Sequence, residues 1–201
     1  RQRQMCIRDS SISIKEKEMV NIMFRVNPEK ALEAIIYIAS KVDHVDKYHT
    51  VKTMFFADKQ HLNKYARPIL GDTYIKMENG PVPSAVLDII NLKEDRISFD
   101  IYVKAKAALS VSNDKKQYIT ANRAPNLAEF SETDIECLDY AINFCKKKSF
   151  DELQNITHEE EAWKKASING CMDYELMIDD DNPNKEDIIQ DLLEDSQWLA
   201  F

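Results

Sequence analysis

Asp58 and His61 stand three residues apart, and His158 and Glu161 repeat that spacing in the second half of the chain. On a helix, each pair would share one face. Brought together, the two pairs would offer carboxylate and imidazole donors to a divalent metal and to the water it activates. One reading is therefore a metal-dependent hydrolase using Asp58, His61 and His158, with Glu161 as a further donor. It requires two distant segments to converge. The competing reading is structural: Asp58 bonds to His61 or to backbone and pins its helix, because an unpaired buried polar group costs about 1–3 kcal/mol. Other catalytic signatures are absent. The chain has no Gly-x-Gly-x-x-Gly, no Walker loop, no Gly-x-Ser-x-Gly and no second histidine to complete a zincin helix after His158-Glu159. Cys6, Cys137, Cys145 and Cys171 form no Cys-x-x-Cys pair. On one helix Cys137 and Cys145 would lie roughly 12 Å apart, too far to bridge. The cysteines therefore read as small buried or half-buried thiols.

Helices must position these residues. Asn27-Pro28-Glu29 supplies a cap, a first-turn proline and a first-turn acid, and Leu32, Ile35, Ile36, Ala39 and Val42 follow at helical spacing. A second helix is predicted over about residues 50–65, with Val51, Met54, Phe55, Leu62 and Tyr65 on the stripe that also carries Asp58 and His61. Beyond Pro125 stand three capping boxes, Ser131 with Asp134, Ser149 with Glu152 and Thr157 with Glu160. The first opens a helix with Ile135, Leu138, Ile142 and Cys145 on its stripe; the third opens a short acidic helix reaching Trp163. Residues 107–122 hold the one hairpin candidate, two short apolar runs around Ser112-Asn113-Asp114-Lys115-Lys116. The fold class is α+β, predominantly α-helical: a compact helical domain with a Gly/Pro-rich loop and a small β-hairpin.

That loop spans residues 67–84 and holds two of the three glycines and three of the six prolines. Leu70-Gly71-Asp72 reads as a turn, residues 73–77 as a short extended piece, and Asn79-Gly80-Pro81 as a second turn leading into a helix that Pro83 and Ser84 start. At this loop the sequence resembles a known family. Met54-Phe55-Phe56-Ala57-Asp58-Lys59-Gln60-His61-Leu62, Tyr65-Ala66-Arg67-Pro68-Ile69, Gly71-Asp72-Thr73-Tyr74, Met77 and Gly80-Pro81-Val82-Pro83-Ser84 are similar to the Panacea domain, the SocA-like antitoxins often labelled phage-associated proteins. Phe130-Ser131-Glu132-Thr133-Asp134, Ser149-Phe150-Asp151-Glu152-Leu153, Thr157-His158-Glu159 and Ala162-Trp163 resemble its second half, so that the likeness spans about residues 28–166. The family often has Gly at Ala66 and His at Asn79. Ala66 is thus expected to leave its helix without a positive φ, and Asn79 removes a titratable group from the loop.

The resemblance implies a non-enzymatic antitoxin that binds and neutralises a cognate toxin. In one branch it implies an adaptor delivering that toxin to an ATP-dependent protease. It implies no cofactor. The partner-binding residues expected from the loop are Asp58, His61, Arg67, Asp72, Tyr74, Met77, Gly80, Pro81 and Pro83. The loop's other reading is a scaffold that turns the chain between helices.

Charge divides the chain. Residues 173–201 carry ten acidic side chains against Lys185, a net of -9, while the whole chain carries -8 and its remainder is nearly neutral. The expected organisation is a non-native or disordered leader over 1–23, a Panacea-like domain over 24–172, and an acidic C-terminal tail over 173–201 with a short helix at 185–193. This tail is either solvated or an arm docking on a basic toxin, anchored by Trp198, Leu199 and Phe201. A neutral body without a Lys/Arg stripe argues against a regulator that binds DNA directly. The longest apolar run, residues 34–39, is far below the roughly 20 residues that cross a bilayer, and no signal peptide is recognisable. The chain is expected to be cytoplasmic.

Overall fold

The computed structural model describes residue 22 and residues 24–198. The expected leader, residues 1–23, lies outside them apart from Ile22, which is buried in the core. Helix α1 (Pro28–Lys41) begins as its cap dictates, with the Asn27 side chain accepting from the amides of Glu29 and Lys30. It leads through β1 (Val45–Asp46) into α2 (Lys47–Tyr65). Here the start is three residues earlier than predicted, because Asp46 caps the helix by accepting from the His49 amide. Buried residues run almost continuously along α2 from Thr50 to Leu62, so the helix forms the axis of the molecule.

Next come β2 (Tyr74–Met77), β3 (Gly80–Pro83), α3 (Ser84–Ile90) and α4 (Phe99–Ala108). Then follow β4 (Leu109–Val111), β5 (Tyr118–Ala121), a 3-10 turn at Leu127–Glu129, α5 (Glu132–Cys145), α6 (Phe150–His158) and α7 (Glu161–Lys165). A second 3-10 turn, Tyr174–Met177, precedes α8 (Lys185–Trp198). The α+β, predominantly helical class is as predicted. α1, α3, α5 and α6 pack around α2, and one antiparallel sheet of order β1-β5-β4 closes one side.

Several local expectations need correction. The hairpin at β4–β5 forms, and the extended piece expected over residues 73–77 forms β2, but it belongs to a second hairpin, because β3 stands where a turn was expected at Asn79-Gly80-Pro81. Pro81 and Pro83 concealed it, since proline disfavours a strand assignment. In the register Ile75 faces Val82 and Met77 faces Gly80, which leaves both prolines at positions whose missing N–H would point away from β2. Helix α4 was missed because its buried stripe is only Ile101, Ala105 and Ala108, while Phe99 and Val103 face solvent. Thr157 does not cap a helix. The Ser149 box starts α6, which runs through to His158, and the buried Thr157 hydroxyl donates back to the Leu153 carbonyl at 2.9 Å. Ala66 does take a positive φ, 58°, as the left-handed cap of α2, since the chain must reverse there whether or not glycine is present. Cys137 and Cys145 are free and buried, whereas Cys171 is disulfide-bonded and so is not the thiol expected.

The acidic C-terminal segment is no free tail over its described part. Tyr174, Met177, Ile178, Ile188 and Leu192 are all buried in the common core. The apolar spacing of this segment was outweighed by its charge. Leu199 and Phe201, two of the proposed anchors, and the side chain of Trp198 lie outside what the structure describes.

Candidate functional site: a braced hairpin and the cleft beside it

Hairpin β2–β3 is held from every side. On the far edge of β2 the amide of Lys76 donates to the Gly170 carbonyl at 3.0 Å, and the amide of Met172 to the Tyr74 carbonyl at 2.8 Å. On the near side Gly80, at φ 100°, lies so close to α6 and α2 that a Cβ would stand 2.5 Å from Thr157 Oγ1 and 2.8 Å from Lys52 Nζ. At the tip, His158 Nε2 bonds the Glu78 carbonyl at 3.1 Å and the Trp163 indole donates to the Met77 carbonyl at 3.2 Å. The two rings stack at 3.9 Å, and Lys76 Nζ sits 4.2 Å from the Trp163 centroid on the indole face.

Two buried carboxylates organise the loop beneath. Asp58 Oδ1 accepts from the amides of Ile69 (2.9 Å) and Leu70 (3.0 Å), and its Oδ2 accepts from the Tyr74 hydroxyl at 3.0 Å. Asp72 accepts from the amides of Ala85 and Val86 and so anchors the first turn of α3, while Tyr174 donates to its backbone carbonyl at 2.7 Å. Burial pushes both carboxyls up to about 6, against hydrogen bonds that pull them down. His61 does not pair with Asp58. Its Nδ1 donates to the Arg67 carbonyl at 2.7 Å, and its Nε2 lies 3.2 Å from Asp134 Oδ1. Burial raises the Asp134 carboxyl, but His61, Lys30 and the Ser131 amide together hold it well below the usual carboxylate range. Arg67 joins the same carboxylate at 3.1 Å from the surface.

Beside the hairpin a cleft of about 860 Å³ opens between the first turn of α2, the hairpin turn, the β4–β5 loop and the start of α6. Lys52 lines it with 1% of its surface exposed, its Nζ donating to the Pro81 carbonyl at 2.8 Å and lying 5.0 Å from the Tyr48 ring centroid. Burial pushes this ammonium down to about 7. Sequence reasoning missed Lys52. The available signal was Tyr48, Lys52 and Phe56 at four-residue spacing, which puts a lysine on an otherwise aromatic stripe.

Of the residues expected to contact a partner, Asp58, His61, Asp72, Tyr74, Gly80, Pro81 and Pro83 are buried, and the side chains of Asp58, His61, Asp72 and Tyr74 are spent on the scaffold. Arg67 and Met77 alone among them are exposed. The structure separates the donors of the hydrolase reading: His158 is bound to the hairpin tip, and among the described residues no three His, Cys, Asp or Glu side chains form a metal-holding group. No helix of the described residues is long and apolar enough to cross a membrane.

No curated protein and no solved structure matches the chain significantly. A family model, described as antitoxin SocA-like, Panacea domain, matches residues 51–164. The matched span runs from α2 to α7 and contains the hairpin, the Asp58 and Asp134 networks and most of the cleft. It covers more than half of the chain, and the protein belongs to the SocA-like antitoxin family that carries the Panacea domain.

Proposed function

We propose that the protein is the antitoxin of a bacterial or prophage toxin–antitoxin pair, acting in the cytoplasm by binding its toxin through the hairpin tip, α6, α7 and the adjoining cleft. The observation that carries this reading is the family match, which spans the elements building that surface. The physics favours binding over chemistry. A hairpin braced on both edges and at its tip is already ordered, so association forfeits little conformational freedom. Met77 and the stacked His158 and Trp163 give the face an apolar and aromatic surface of the kind that anchors interfaces.

The test is genetic and then biochemical. Expression of the reading frame beside this gene should arrest growth, and co-expression of this protein should restore it and yield a complex that copurifies. A toxic neighbour that forms no complex, or no toxic neighbour at all, would count against the reading. Toxin half-life separates the two modes within it: direct neutralisation leaves the half-life unchanged, whereas delivery to an ATP-dependent protease shortens it. Met77→Asp should lower toxin binding at least tenfold without lowering the melting temperature, because Met77 is 38% exposed at the hairpin tip.

A further inference from the structure

The cleft is charged in one sense and unsatisfied in it. Its walls carry Lys47, His49, Lys52, Lys115 and Lys116 against two carboxylates, Asp46 and Glu78. Asp46 is already engaged by His49 at 2.8 Å. Lys47 is held by the neutral amides of Asn91 and Gln117, and Lys52 by a backbone carbonyl. Among the described residues none of the four lysines forms a salt bridge, and only Lys116 feels nearby carboxylates, Asp46 and Asp114. A nearly buried ammonium satisfied only by neutral acceptors retains most of its attraction for an anion, and the low local dielectric strengthens it.

The rest of the lining selects which anion. Val82, Leu87 and the packed rings of Tyr48 and Phe150, 4.3 Å between centroids, make apolar walls. No arginine and no glycine lines the cleft, so it lacks both the guanidinium fork and the glycine-bounded amide nest that commonly hold phosphate. A single buried amine between apolar walls matches a singly charged acid on a hydrocarbon stem.

We propose that this cleft takes a carboxylate carried on an apolar stem: a glutamate, aspartate or chain-terminal carboxylate of the toxin segment, seated against Lys52 with its stem between Tyr48, Phe150 and Val82. The identity of the occupant rests on the antitoxin reading; the chemistry of the cleft does not.

The probe is 4-phenylbutyrate, titrated at pH 6, where Lys52 is protonated and the acid is ionised, into the full chain and followed by amide chemical shifts, with 4-phenylbutanamide and inorganic phosphate as comparisons. The acid should bind at least tenfold more tightly than the amide and shift residues around Tyr48, Lys52 and Phe150, with phosphate failing to compete. Lys52→Met should abolish the preference for the acid. Lys116→Glu, an exposed change on the rim that leaves the fold intact, should weaken the acid severalfold and spare the amide. Equal binding of acid and amide, an unaltered preference in both variants, or competition by phosphate would overturn the proposal. The Lys116→Glu variant should also bind the toxin severalfold less tightly, and undiminished toxin binding would overturn the toxin as occupant. If no neighbouring gene is toxic the antitoxin reading fails by itself, and with it the assigned occupant, while the acid-against-amide comparison still decides the recognition chemistry.

Discussion

Asp58 is wholly buried, yet it accepts three hydrogen bonds and fixes where the chain turns after α2. Asp58→Ala should lower stability by about 1–3 kcal/mol, since two amides and a hydroxyl lose their acceptor. Asp58→Asn keeps an acceptor for the amides and should lose about 1 kcal/mol or less near neutrality. The pair also differs in pH response. The folded carboxyl titrates near 6 and an unfolded one near 3.9, so the folded state holds its proton longer. Wild-type stability relative to Asp58→Asn should therefore fall as pH rises from about 4 to about 6, as urea melts across that range would show. Lys52 has the opposite slope at the other end. Its folded state releases a proton near 7 where the unfolded chain holds it to about 10.4, so stability should rise with pH between those values, and Lys52→Met should flatten the rise. The polar character of Asp58 and His61 on a core stripe was legible in the sequence. Their partners were not, because Ile69, Leu70 and Tyr74 reach Asp58 through a loop, and Asp134 reaches His61 from α5.

At the scale of elements, three helix starts were readable. Asn27, Ser131 and Ser149 all cap the helices they were assigned, and the Ser131 and Ser149 boxes close reciprocally. Strands were less readable. Two prolines in a four-residue strand erase the alternation that would announce it, and only the register explains how β3 tolerates them. The left-handed end of α2 gives a direct test. Ala66 holds φ 58°, a conformation that disfavours a Cβ by roughly 1–2 kcal/mol, so Ala66→Gly should gain about 0.5–1 kcal/mol in denaturant midpoints after the extra chain entropy of glycine is subtracted. Gly80 is the reverse case. At φ 100° with Thr157 and Lys52 pressed against it, Gly80→Ala should destabilise by more than about 2 kcal/mol and loosen the hairpin first, seen as faster amide exchange at Tyr74 and Lys76.

For the whole molecule, the family-matched span is not the whole cooperative unit. A third segment pairs with β2 through the bridge between Ile75 and Cys171, and the acidic segment then buries Tyr174, Met177 and Ile178 before α8 adds Ile188 and Leu192. A chain ending at residue 184 should fold with a loss of about 3–6 kcal/mol, the burial of two large aliphatic side chains. One ending at residue 172 should fail to give a cooperative melt, since three more core side chains and the Tyr174 bond to the Asp72 carbonyl go with it. Net charge had concealed this docking: the described acids from Asp179 to Glu194 are exposed, and their charge says nothing of the apolar residues turned inward. The stacked rings at the hairpin tip carry one more consequence, an optical one. Trp163 of α7 is held face to face with the His158 imidazole and beneath the Lys76 ammonium, so its indole is exposed to whatever changes at the tip. The hairpin tip therefore rests on one of the chain's two tryptophans, so a partner that settles there would announce its arrival in the emission of the unlabelled protein.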